Sequence, residues 1–246
     1  MDVVTLLVPA RRDAVDLLSA AATDWQRSIA HCPEWDATQL VRHTGSVLAW
    51  MGAIITSRER VSRRALDPAP EHLTDLPSWY RTTLDKTLDI LESVDPESTA
   101  WTFSSSGDRR VAWWIRRLAV EVSVHRWDAE HAVSVSAGSA PRPVDRGVAA
   151  AGIEEFVVEF LPELLAQESL EGLHGTLHLE PSDGGDSWWI DLDARGARAD
   201  RSAAATCALR ATNSDLLLWL NNRRRADARE ASGDLQILDA WHQLRF

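Results

Sequence analysis

Over residues 10–29 apolar side chains return at three- and four-residue steps, at Val15, Leu18, Ala22, Trp25 and Ile29, with Arg11, Asp16 and Arg27 between them. This is the 3.6-residue period of a helix with one buried face, and it predicts a first helix. A second begins at Asp36, whose side chain can take the free amide of Gln39 while Gln39 reaches back, a capping box, and its inward positions are Leu40, Val47 and Met51. After a polar, proline-containing connection at 67–77, Leu84, Leu88 and Leu91 mark one face of a third helix over 79–94, closed by Asp95-Pro96. The loop Ser104-Ser105-Ser106-Gly107 precedes a long fourth helix over 111–133, with Trp114, Leu118, Val122, His125, Ala129 and Ala132 along one side.

The pattern then changes. Small residues, Gly138 and two prolines at 135–143 read as a linker. A helix is predicted over 153–167, after which the period shortens to two. Strands over 173–180 and 187–192 flank the turn at 182–186, a hairpin, and a further strand is expected around 204–210. A helix capped by Asn213 or Ser214 and running to Leu220, then a short helix over 235–241, complete the chain. The expected fold class is therefore α plus α+β: a four-helix bundle in 1–136, followed by a small α+β domain in 143–246.

At 246 residues and a formal net charge of −11, the chain can bury a core without staples and is a poor match for nucleic acid, which requires clustered positive charge. The run Arg223 to Arg225 is the one basic cluster and reads as a solvated face. Cys32 and Cys207 stand far apart and read as free thiols in a reducing compartment. With no signal peptide and no apolar run long enough to span a bilayer, a cytoplasmic protein without membrane partners is expected.

The chemistry lies on the fourth helix. Glu121 and His125 are four apart and so project from the same, apolar side. A carboxylate on a buried stripe is costly unless it is paired, hydrogen-bonded or bound to a cation. One reading is a divalent metal, zinc by ligand type, with His43 on the inward side of the second helix as third ligand and a fourth position left for water or substrate. The other is an ordinary i,i+4 hydrogen bond beside a core histidine. Asp128, one turn beyond His125, either orients that imidazole from the second shell of the site or pairs with Arg126 or Arg117. Trp35, Trp50, Trp113, Trp114 and Trp127 either line a pocket or fill the core.

Two stretches bear on the first of these choices. Arg116-Arg-Leu-Ala-Val-Glu121-Val-Ser-Val-His125-Arg-Trp-Asp128-Ala-Glu resembles the hallmark helix of the mycothiol-dependent maleylpyruvate isomerase family, whose N-terminal domain is a DinB-like metal-binding bundle. Cys32-Pro-Glu-Trp35-Asp-Ala-Thr-Gln-Leu40-Val-Arg-His43 is similar to its second motif, a tryptophan followed eight residues later by a helical histidine. Leu177-His178-Leu179, Ser187-Trp188 and Ser214-Asp-Leu-Leu-Leu-Trp219-Leu look like the family's small C-terminal domain, so the resemblance covers nearly the whole chain.

The resemblance places His43, Glu121 and His125 on the family's three metal ligands. It implies a small-molecule substrate and a low-molecular-weight thiol, mycothiol, as cosubstrate, in an isomerisation or transfer in which thiolate adds to a cis alkene conjugated to a carbonyl. Arg223 is the candidate for holding a substrate carboxylate or an enolate; Asn221-Asn222 stands where the family often has a glycine before its arginine. Water in the same open position would instead give a metal-assisted hydrolase, and a bundle without turnover would be a metal- or ligand-binding protein.

Overall fold

The computed structural model describes residues 2–167, 173–193, 196–197 and 204–244. The chain divides into two compact units, Met1–Val148 and Ala149–Phe246. The first is built on four helices, α1 (Leu7–Ala21), α2 (Ala37–Ser57), α3 (Leu76–Ser93) and α4 (Val111–Ala137), with short 3₁₀ turns at Val3–Leu6 and Arg63–Ala65. α1 packs chiefly on α4, and α2 on α3 and α4.

α2 starts as its sequence dictates. Asp36 accepts from the Gln39 amide and the Gln39 side chain accepts from the Asp36 amide, a complete capping box worth about 1 kcal/mol. Its inward residues Leu40, Val47 and Met51 are buried, as are Leu84, Leu88 and Leu91 of α3. Pro77 belongs to the first turn of α3 rather than to the preceding loop, where its missing N–H costs nothing. α2 and α3 approach closely at Gly45, where a Cβ would lie 2.4 Å from the Trp79 ring. α4 runs four residues past the expected end, to Gly138 in the left-handed conformation (φ 67°).

The first helix departs from expectation in two ways. It ends at Ala21, not at Ile29, because Thr23 and Asp24 turn the chain and the segment beyond pairs instead with the entry to α2: the amides of Ile29, Ala37 and Thr38 bond the carbonyls of Trp35, Arg27 and Trp25. Its buried face is also rotated. Leu18 is buried as expected, but its inward companions are Ala10, Ala14, Leu17 and Ala21 together with Asp13, while Val15 is exposed and Ala22 lies outside the helix. Asp13 can occupy the inner face because the wholly buried Arg126 guanidinium and Arg142 lie at 3.7 and 3.2 Å from its carboxylate.

The second unit takes up the chain within α5 (Arg146–Glu155), continues through a π-helical turn (Phe156–Phe160) into α6 (Leu161–Gln167), and then changes to sheet. The helical stretch thus begins before residue 153, and the wide turn sits where Pro162 cannot donate to an i−4 carbonyl. Strands β1 (Thr176–Pro181), β2 (Trp188–Asp191), β3 (Gly196–Ala197), β4 (Cys207–Ala211) and β5 (Ala231–Gly233) form one mixed sheet in the order β3-β2-β1-β4-β5. β1 and β2 are the expected antiparallel hairpin, whereas β4 runs parallel to β1. Leu177, Leu179, Ile190, Cys207 and Leu209 are buried, alternating with more exposed neighbours. α7 (Asn213–Leu220) is capped by Thr212 rather than by Asn213 or Ser214, and its Trp219 stacks on Trp241 of α8 (Gln236–Trp241) at 4.8 Å. The architecture is α plus α+β: a helical N-terminal part followed by a small mixed sheet with helices.

Candidate metal centre

The buried face of α4 carries Glu121 and His125, whose side chains are only 8% and 10% exposed, and α2 brings His43 opposite them. His43 Nε2 lies 3.0 Å and His125 Nε2 3.6 Å from the same carboxylate oxygen, Oε1 of Glu121. One ligand atom from each residue falls within a 4.8 Å group, the single such set of three among the described residues. The other oxygen, Oε2, is taken by Arg117, one turn back on α4. The carboxylate is thereby divided, one oxygen facing two imidazoles and the other a guanidinium.

These contacts set the ionisation of the group. Burial favours a protonated Glu121, but Arg117, His125 and His43 outweigh it and hold its pKa well below the ordinary value. Burial likewise disfavours a charged His125, yet Asp128 and Glu121 together raise it to about 9. Asp128, itself buried, accepts from Nδ1 of His125 at 3.0 Å, which turns Nε2 toward Glu121. Asp128 thus makes a contact with His125, while Arg117 reaches Glu121 and Arg126 reaches Asp13, Glu130 and the carbonyls of Arg142 and Pro143.

Trp35 explains the tryptophan eight residues before His43. The backbone between α1 and α2 places its ring 4.5 Å from the His43 ring and 6.0 Å from that of His125. The other tryptophans divide by place. Trp50, Trp113 and Trp114 belong to an aromatic cluster with Trp101 and Phe103, whereas Trp127 stacks on His131 at 4.8 Å. Cys32 is half-buried in the turn leading to Trp35, and Cys207 is buried in β4; neither is in a disulfide, and burial pushes the Cys207 thiol up to about 11.

Two imidazole nitrogens and one carboxylate oxygen, the second nitrogen of His125 anchored by a carboxylate, make a donor set that fits a divalent cation such as zinc. His43, at 28% exposed, leaves one side of the cluster accessible. Asp128→Ala is expected to weaken metal binding roughly 10–100-fold, the usual effect of losing an outer partner of a ligating histidine. Competition with a chelating dye reads this directly, and unchanged affinity would show that the Asp128 contact does not govern the ring.

Arg223 lies in the second unit, in the turn after α7. Its amide bonds the Leu218 carbonyl at 2.7 Å and its guanidinium the Asn221 carbonyl at 2.8 Å. Asn222 takes the left-handed conformation (φ 58°), so an asparagine, which tolerates that region, supplies the turn for which a glycine would serve. Its side chain is held by Leu244 and His242. The neighbouring Arg224 is paired with Glu230 and Asp215, as a structural surface arginine would be.

A helical unit with a His-Glu-His donor cluster between its second and fourth helices, joined to a small mixed-sheet unit, defines a class of candidate metal-binding two-part proteins. Residues 7–130 match the mycothiol maleylpyruvate isomerase N-terminal domain and residues 147–240 the C-terminal domain of the same family. The chain belongs to the mycothiol maleylpyruvate isomerase family. No curated protein and no solved structure matches it.

Proposed function

We propose that the chain is a divalent-metal-dependent enzyme, with zinc the first choice, that isomerises or transfers a small substrate with the help of a low-molecular-weight thiol, mycothiol. What carries the reading is the cluster of His43, Glu121 and His125, open on the His43 side, in a chain of this family. A cation bound there would favour thiolate over thiol and polarise a substrate carbonyl.

The protein groups then have distinct tasks. His43, Glu121 and His125 hold the cation. Asp128 fixes the tautomer and ring plane of His125, Arg117 keeps Glu121 ionised in an otherwise apolar setting, and Trp35 shields the imidazoles. Arg223 is proposed to bind the carboxylate or enolate of the substrate, the role for which a forked, permanently charged donor is suited. Cys32 and Cys207, neither of them in a disulfide, fit a cytoplasmic setting, and no helix among the described residues is long and apolar enough to cross a membrane.

The test is elemental analysis of untagged protein, followed by assay with mycothiol and a cis alkene conjugated to a ketoacid. About one metal per chain, lost in His43→Ala and Glu121→Ala, with turnover that needs both metal and thiol, is the expected result. Turnover of esters or amides without thiol would replace the isomerase by a hydrolase. Stoichiometric metal without turnover of any of these would leave a binding protein.

A further inference from the structure

The segment between α2 and α3 forms an arch tied to α2 at two places. Trp50 donates its indole N–H to the Val61 carbonyl at 2.7 Å, and Arg42 reaches the carbonyls of Pro70 and Glu71 at 3.1 and 2.8 Å. Between the two ties lies a cavity of about 370 Å³, bounded by Ser46 and Ala49 of α2 and by Arg63, Arg64 and Asp67 of the arch. Its size suits a small ligand.

The charge on this cavity is unusual for an acidic protein. Many arginines elsewhere are spent on carboxylates: Arg11 on Asp85 and Glu92, Arg110 on Asp108 and Glu97, Arg142 on Asp13 and Asp16. Arg63 and Arg64 form no ion pair among the described residues, and neither does Arg60 close by. Asp67 is the one acidic group on the cavity wall, while Glu59, Glu71 and Asp75 lie elsewhere in the arch. Arg63 is nevertheless held in place: its guanidinium carbon stands 4.4 Å over the centre of the Trp50 ring, and Arg60 lies 5.7 Å over Trp101. Stacking of this kind occupies the face of a guanidinium and leaves its N–H edge to donate. The short turn that carries both arginines is fixed by Ser62, whose hydroxyl accepts from the Arg64 amide.

We propose that this cavity is a binding site for a small anion, a carboxylate or a phosphate group, taken by Arg63 and Arg64 with Ser46 at its floor. Ser46 stands about one turn after His43 on α2, which places the proposed anion site near the helix that carries one member of the metal-binding cluster. None of the contacts that build the cavity involves Glu121 or His125, so the anion is bound with or without metal.

Isothermal titration of inorganic phosphate and of succinate, into metal-loaded and chelator-stripped protein at constant ionic strength, tests this. At least one of the two is expected to bind saturably in both forms, and Arg63→Ala/Arg64→Ala to weaken it by about tenfold or more while metal content is unchanged. Preference for phosphate or for succinate identifies the chemical group. Both arginines are exposed, so the variant should keep its fold, as circular dichroism will show. The proposal is overturned by undiminished binding in the double variant, by binding that appears only with metal present, or by no saturable binding in the wild type.

Discussion

Replacing His125 by alanine is expected to strip the protein of its metal, with affinity falling by more than about 100-fold, since loss of even an outer partner typically costs roughly 10–100-fold. The variant removes Nε2, which faces the same Glu121 oxygen as His43, and leaves two donors where three stood. The bundle itself should survive, because Glu121 keeps Arg117 and His43 as partners and is not abandoned as an uncompensated buried charge. A fall in melting temperature should therefore be larger for metal-loaded than for metal-free protein, as binding to the native state alone demands.

The same variant has a signature in pH. In the metal-free protein the folded pKa of His125, about 9, lies above its ordinary value of 6.5. A raised histidine stabilises fully below the unfolded value and loses that contribution as pH rises through the folded one. Metal-free wild type should thus lose stability relative to His125→Ala between about pH 6.5 and 9. Glu121 works in the opposite sense, its depressed pKa withdrawing stability only in acid, below the ordinary value of 4.5. Unchanged metal content in His125→Ala would remove the residue from the ligand set, and parallel stability profiles would show that its ion pairs do not stabilise the metal-free fold.

The donor cluster was legible because it breaks a rule visible in one dimension: a carboxylate and a histidine four apart on an apolar helical face demand an explanation, and Trp35 and His43 stand at a spacing that the family shares. The capping box at Asp36 and the β1–β2 hairpin were legible for a similar reason, each being local. What was missed depends on partners distant in sequence. The end of α1 could not be seen from Trp25 and Ile29, which keep the helical period but spend their backbone groups on the entry to α2. The face of α1 is only partly legible: Leu18 is buried as its spacing suggests, but nothing local shows that Asp13 lies inward, where Arg126, more than a hundred positions away, stands near it. β3 and β5 are two and three residues long and are recruited by their neighbours rather than by any pattern of their own. Arg117 offered a hint, standing one turn before Glu121, but the choice among nearby carboxylates is made by side-chain geometry.

Arg126 should carry the largest purely structural effect in the first unit. It neighbours His125 on α4 yet points elsewhere: its guanidinium is wholly buried and serves Glu130 at 2.8 Å, the Pro143 carbonyl at 3.0 Å, the Arg142 carbonyl, and Asp13 at 3.7 Å. One side chain thus joins α1, α4 and the segment that leaves α4. Arg126→Met is expected to destabilise the fold by about 1–3 kcal/mol, the range for leaving buried acceptors without their donor, because Glu130 and the carbonyls of Arg142 and Pro143 lose a charged partner while Asp13 keeps only the more exposed Arg12 and Arg142. Urea unfolding measures this. Adding Asp13→Asn should restore part of the loss, since the charge that Arg126 compensates is then gone, and the two substitutions should be non-additive by on the order of 1 kcal/mol or more. Metal affinity at 25 °C should stay within a few-fold of wild type, separating this variant from His125→Ala. Additive effects of the two substitutions would mean that Arg126 acts through the carbonyls of Arg142 and Pro143, as a clasp on the chain leaving α4, and not through its charge on Asp13.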